Sequence, residues 1–199
     1  MTTAELTGDD REELVLFSTL YPHLVDAATG ELVQPTGLGS DVFGVDDNGV
    51  WYMSAVVDDF DGDGAADIYW YYGWHHVLTD AALKPKWYAP RQMAAPQRYA
   101  ATGRLQAGGG VDIVFTASDD EERTWAKVTP GEAVCLDGAT GREQWSWAPP
   151  DGLMLETSPI LVDVNADGLH DVVVVAGGEL IALAAPPAGE PEAKVLWRL

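Results

Sequence analysis

Four aspartates fall within nine residues of the stretch "VVDDFDGDGAADIYW": Asp59, Asp61, Asp63 and Asp67 take positions one, three, five and nine of a frame with Gly64 at six. Carboxylates this close repel one another unless a cation neutralises them. Calcium suits such a frame, because it takes about six to eight oxygen ligands and a tight glycine-bearing turn lets alternate side chains converge while a backbone carbonyl joins them. The frame recurs in "VDVNADGLHDVVVV", where Asp163, Asn165, Asp167, Gly168 and Asp171 hold the matching positions. An EF-hand loop would need a glutamate at position twelve, but Trp70 and Val174 stand there. The closing carboxylate comes at nine, where an apolar strand begins, so the arrangement expected is strand, loop, strand. The competing reading is a plain acidic turn, since Asp and Gly are ordinary turn formers. That reading suffices for "DDNG" at Asp46 to Gly49.

Two weaker copies complete a series. In "ELTGDDREELVLF", Glu5, Thr7, Asp9 and Glu13 fill the four positions, with Asp10 in glycine's place and without glycine's backbone freedom. Whether these four bind an ion is left open by the residues. In "RLQAGGGVDIVF", Arg104 and Gln106 replace the early acids, so Asp112 is expected to cap its turn or bond backbone amides instead of a metal. The ninth positions, Glu13, Asp67, Asp112 and Asp171, are 54, 45 and 59 residues apart. A period of about 50 residues is that of a four-stranded supersecondary unit.

The strands that must hold these loops are legible on either side of them. Downstream of each loop comes a strand, a small-residue turn and a strand: "HLVDAATGELV", "HVLTDAALKPKW", "AVCLDGATGREQW" and "IALAAPPAGEPEAKVLW", with Trp87, Trp145 and Trp197 near the ends of three. The "ATG" steps at Ala28 to Gly30 and Ala139 to Gly141 give the backbone freedom a hairpin needs. Each unit therefore reads as one strand before the loop, one after it and a closing hairpin. The units fall at about residues 1–36, 37–90, 91–150 and 151–199 of a single domain, 1–199. In the third, "SDDEERTWAKVTP" reads as an insertion between the second and third strands.

The acidic frame followed by a buried strand resembles the FG-GAP and VCBS-type repeats of integrin-alpha-like β-propellers. The hairpin "LDGATGREQW" resembles the outer half of a blade from pyrroloquinoline-quinone-type propellers. The resemblance spans nearly all of the chain. It implies an all-β propeller of four-stranded antiparallel blades, about four in this chain. It also implies calcium ligands at Asp59, Asp61, Asp63 and Asp67 with the Ala65 carbonyl, and at Asp163, Asn165, Asp167 and Asp171 with the Leu169 carbonyl. Members of the first group are calcium-stabilised interaction domains found mostly outside the cytoplasm, which implies an extracellular or cell-surface place. The opening "MTTAELTGDDREEL" lacks the basic start and apolar middle of a signal peptide.

Composition restricts the partners. The chain has 199 residues and a formal charge of -21 from 32 Asp+Glu against 11 Lys+Arg. Such a surface does not suit nucleic acid, which selects basic ones, and no run of 18 apolar residues suggests membrane insertion. The same acidity would also suit a salt-adapted surface. One cysteine, Cys135, in the alternation "EAVCLDGA", excludes an internal disulfide and reads as an inert, half-buried thiol. His75 and His76 are strand neighbours that point to opposite faces, so they read as structural. The run Tyr69, Trp70, Tyr71, Tyr72 and Trp74 reads as blade core ahead of a sugar-stacking platform.

The function expected is a non-enzymatic, calcium-stabilised scaffold that recognises a protein or carbohydrate ligand. The alternative is a polysaccharide-acting enzyme such as a calcium-dependent propeller lyase, which needs a base and a charge-neutralising group in a cleft. The carboxylate pairs all lie in the metal-type loops, leaving little for catalysis. A quinone dehydrogenase is disfavoured because the hairpin resemblance covers scaffold residues and no cofactor ligands. With a first strand at about Thr2 to Leu6 and nothing after Leu199 to reinforce it, the chain is expected to be an arc. A head-to-tail homodimer or flanking blades would complete the ring.

Overall fold

The computed structural model describes residues 2–6, 11–17, 22–34, 55–72, 75–90, 100–118, 131–153, 155, 157–187 and 189–199. Within them lie sixteen strands in four separate antiparallel sheets, each a meander in chain order. Sheet one holds β1 (Thr2–Ala4), β2 (Glu13–Phe17), β3 (Pro22–Asp26) and β4 (Leu32–Gln34). Sheet two holds β5 (Ala55–Asp58), β6 (Asp67–Tyr72), β7 (His75–Asp80) and β8 (Pro85–Pro90). Sheet three holds β9 (Ala101–Gly103), β10 (Asp112–Ser118), β11 (Gly131–Asp137) and β12 (Glu143–Trp147). Sheet four holds β13 (Ile160–Val162), β14 (Asp171–Ala176), β15 (Glu179–Ala184) and β16 (Lys194–Arg198). The first strand is shorter than expected, ending at Ala4. The insertion read at "SDDEERTWAKVTP" falls between β10 and β11, and its residues 119–130 lie outside the described set, as does "DDNG".

Sequence accounts for the strands. The second strands are rich in β-branched and aromatic residues, "DIVFTAS" and "DVVVVA" among them, which favour extended backbone. Those of sheets three and four are buried on both faces: Ile113, Val114 and Phe115 are enclosed, as are Val172, Val173 and Val174. The closing hairpins of sheets one, two and three turn on an aspartate, Asp26, Asp80 and Asp137, that the pattern of small residues did not single out. Asp26 Oδ1 accepts the Ala28 and Thr29 N–H groups at 2.8 Å, and Asp137 Oδ1 accepts that of Thr140 at 2.8 Å. Gly30 and Gly141 follow at φ 72° and 68°, a region that favours glycine.

The chain divides into two compact units, Met1–Pro90 and Arg91–Leu199. In the first, sheets one and two share a core in which Val15 and Leu24 meet Ile68, Trp70 and Val77, and β1 runs beside β5. In the second, sheets three and four share a core of Val114, Cys135 and Trp145 with Val172, Val174, Ile181 and Leu183, and β9 runs beside β13. Replacing a buried aromatic such as Trp145 by alanine would cost about 3–5 kcal/mol.

Cys135 is fully enclosed, not half-buried, because both faces of β11 are covered; burial pushes its thiol pKa well up. Tyr69, Trp70 and Tyr71 are buried too, which leaves them no ring face for a sugar. His76 is buried within hydrogen-bond distance of Tyr69, Nδ1 to Oη 2.7 Å. The side chains of Tyr72, Trp74 and His75 lie outside the described set. Among the described residues, no helix is long and apolar enough to cross a membrane.

Candidate metal centre

Sheet two builds its acidic loop between the end of β5 and the start of β6, whose Asp58 and Asp67 are cross-strand partners. The loop is shaped by its own carboxylates. Asp59 Oδ1 accepts Gly62 N–H at 2.8 Å and Oδ2 accepts Gly64 N–H at 3.0 Å, while Asp63 Oδ1 accepts Ala65 N–H at 2.8 Å. Gly62 and Gly64 adopt φ 76° and 86°, which makes so tight a turn possible. The outcome is convergence: donor oxygens of Asp59, Asp61 and Asp67 lie within 4.8 Å of one another. Among the described residues, no other three carboxylate, imidazole or thiolate groups come together in this way.

Asp67 is the inner wall of this cluster, with no exposed surface, and neither of its oxygens accepts a backbone N–H. A buried carboxylate in that state is costly unless a cation faces it. The cation here is Lys86, whose Nζ is 2.7 Å from Asp61 Oδ2 and 3.6 Å from Asp63 Oδ2. It also pairs with Asp67 Oδ1 at 2.5 Å. Its effect differs between the two partners. The Lys86 hydrogen bond holds the Asp61 carboxyl below the usual carboxylate range, whereas burial raises that of Asp67 despite the same ammonium. Burial also works against the charge on Lys86, but its contacts with Asp61 and Asp67 prevail and raise its pKa. An enclosed carboxylate that takes no backbone N–H and an ammonium standing among three acids both fit an oxygen-ligated cation.

The loop of sheet four has the same backbone. Ala166 takes φ 62° where the first loop has Gly62, and Gly168 takes 87° where it has Gly64. Asp163 Oδ2 accepts Gly168 N–H at 2.9 Å, as Asp59 accepts Gly64, and Asp167 Oδ1 accepts Leu169 N–H at 2.9 Å, as Asp63 accepts Ala65. Its inner acid is differently served: Asp171 Oδ2 accepts Val164 N–H at 3.0 Å, and Asn165 Nδ2 lies 3.4 Å from Oδ1. Burial raises the Asp171 carboxyl. The loop is joined to sheet three: Arg104 N–H donates to His170 Nδ1 at 3.1 Å, and His170 N–H to the Arg104 carbonyl at 2.8 Å.

The remaining two loops keep the ninth-position acid for backbone work. Glu13 Oε2 accepts Leu6 N–H at 2.7 Å and Asp112 Oδ2 accepts Leu105 N–H at 3.1 Å. Gln144 Nε2 also donates to Asp112 Oδ1 at 2.7 Å. Glu13, Asp112 and Asp171 thus each take the N–H of the residue seven places earlier, and Asp67 does not. Thr7, Asp9 and Asp10 lie outside the described set.

Lys86 and Gln144 were missed in the sequence, and one irregularity explains both. The fourth strand of every sheet carries a β-bulge at the same register, leaving one residue without a cross-strand partner: Val33, Lys86, Gln144 and Leu196. The available signal was their place immediately before Trp87, Trp145 and Trp197 in three hairpins.

No protein-family model matches the chain, and no curated protein matches it. Among solved structures, the crystal structure of the V. cholerae biofilm matrix protein Bap1 aligns over 98% of this chain, with 14% identity and a TM-score of 0.39. The chain covers 38% of that protein's length.

Proposed function

We propose that the chain is a calcium-stabilised, non-enzymatic β-propeller scaffold of FG-GAP/VCBS-type blades that binds a protein or carbohydrate ligand in an extracellular or cell-surface setting. The observation that carries the metal reading is the convergence of Asp59, Asp61 and Asp67, the last a buried carboxylate that accepts no backbone N–H. Asp63 and the Ala65 carbonyl complete the ligand set in this reading. Asp163, Asn165, Asp167 and Asp171 with the Leu169 carbonyl form the second set, on a loop of matching backbone. The blade reading is supported by four four-stranded meanders, with the first strands side by side within each unit. In this reading each ion fixes its own loop, at the start of β6 or of β14, and the loops of each unit present ligand surface.

Thermal unfolding in chelator, calcium and magnesium tests the metal. At millimolar calcium, dissociation constants of about 10⁻⁴ to 10⁻³ M correspond to roughly 0.4 to 1.4 kcal/mol per site. Chelator is expected to lower the melting temperature by a few degrees, with recovery in calcium and little in magnesium. An unchanged melt contradicts the assignment. A glycan array with a lyase absorbance readout tests the rest: binding without turnover supports a scaffold, and new absorbance from a polysaccharide refutes it.

A further inference from the structure

The bulged residue of the fourth strand gives each acidic loop a different neighbour. In sheet three it is Gln144, whose amide bonds Asp112. In sheet four it is Leu196, and among the described residues no Lys or Arg forms an ion pair with Asp163, Asp167 or Asp171. In sheet two it is Lys86, whose ammonium lies among Asp61, Asp63 and Asp67. Resting on the metal reading above, we propose that Lys86 is a tethered counter-cation of the loop 59–67. A divalent cation then binds there by displacing the ammonium from Asp61 and Asp67, an exchange that loop 163–171 does not require.

Charge and burial carry this. Asp67 is enclosed, accepts no backbone N–H and pairs with Lys86, so its charged form needs a positive charge beside it whether or not an ion is bound. An ammonium and a dication cannot share the same oxygens, because they repel at this range. Lys86 is able to leave: its side chain is 24% exposed, it lies on the outermost strand of its sheet, and its four-carbon stem is flexible. The lysine therefore keeps loop 59–67 folded without metal and weakens metal binding on the order of ten- to a hundredfold, the size of one charge-assisted hydrogen bond.

The test is calcium calorimetry on the full chain carrying Asp163→Ala, which leaves loop 59–67 to be read. Lys86→Met and Lys86→Gln remove the charge, and Lys86→Arg keeps it. Affinity at loop 59–67 is expected to rise about ten- to a hundredfold in the first two and to stay near the parent value in the third. Equal affinity in all four chains overturns the proposal while leaving the metal reading intact. Absence of calcium binding in all four overturns both. Amine acetylation of the unmutated chain gives a check that needs no variant to fold. Calcium is expected to increase labelling of Lys86 but not of Lys84 or Lys194, and unchanged Lys86 labelling at saturating calcium contradicts displacement.

Discussion

Lys86 pairs with Asp67 although their strands, β8 and β6, are separated by β7. The bulge at Lys86 frees that residue from its cross-strand register, and Gln144 reaches Asp112 from β12 to β10 in the same way. The inner acids thus meet different partners from the fourth strand: an ammonium at Asp67 and a neutral amide at Asp112.

Asp112 shows the cost of an inner acid without a cation. Burial raises its carboxyl pKa against the bonds from Leu105 and Gln144, with Asp137 adding to the rise. The folded chain therefore holds this proton more tightly than the unfolded one. The stabilisation is fully present below the unfolded value and is lost as pH rises through the raised folded value. Asp112→Asn, neutral throughout, is expected to gain stability relative to wild type between about pH 4 and pH 7. Urea unfolding of both chains at the two pH values checks it, and a pH-independent difference would contradict it.

Gly103 sits at the end of β9 where sheet three meets the loop of sheet four. A Cβ there would lie 2.7 Å from His170 Nδ1 and 3.0 Å from Leu161 Cδ1. Gly103→Ala should push His170 off the Arg104 amide and cost about 1–3 kcal/mol, as over-packing does. Because His170 precedes Asp171, calcium affinity at loop 163–171 should fall while loop 59–67 is unaffected. Calorimetry of the variant decides, and parallel losses at both loops would argue against a local effect.

Ala166 and Gly62 form a reciprocal pair. Ala166 holds φ 62° with a side chain that disfavours it, whereas Gly62 holds φ 76° with nothing within 4 Å of an added Cβ. Ala166→Gly is expected to stabilise by about 0.5–1 kcal/mol and Gly62→Ala to destabilise by about 1 kcal/mol, both through the backbone alone. Denaturant unfolding measures both, and effects of the same sign would contradict the shared loop geometry.

Much of the fold could be read before any coordinate. Glu13, Asp67, Asp112 and Asp171 each open the second strand of their sheet, because an acid at the ninth position followed by an apolar run marks where a loop must end. That Asp112 takes a backbone amide, the Leu105 N–H, was legible as well, since Arg104 and Gln106 replace the early acids of its loop. The bulges were not. A bulge adds one residue without altering the apolar alternation enough to be seen, and it redirects a side chain toward a partner 25 residues away, as with Lys86 and Asp61. The bond between Arg104 and His170, 66 residues apart, depends on how two sheets pack and leaves no local trace.

Calcium titration of the purified chain by calorimetry, after removal of divalent ions, tests the metal assignment most directly. The expected result is a saturable event that Asp167→Ala removes, a weaker one that Asp61→Ala removes, and no change in either with Asp112→Ala. Heats of dilution alone, together with a melt unaltered by chelator, would contradict it.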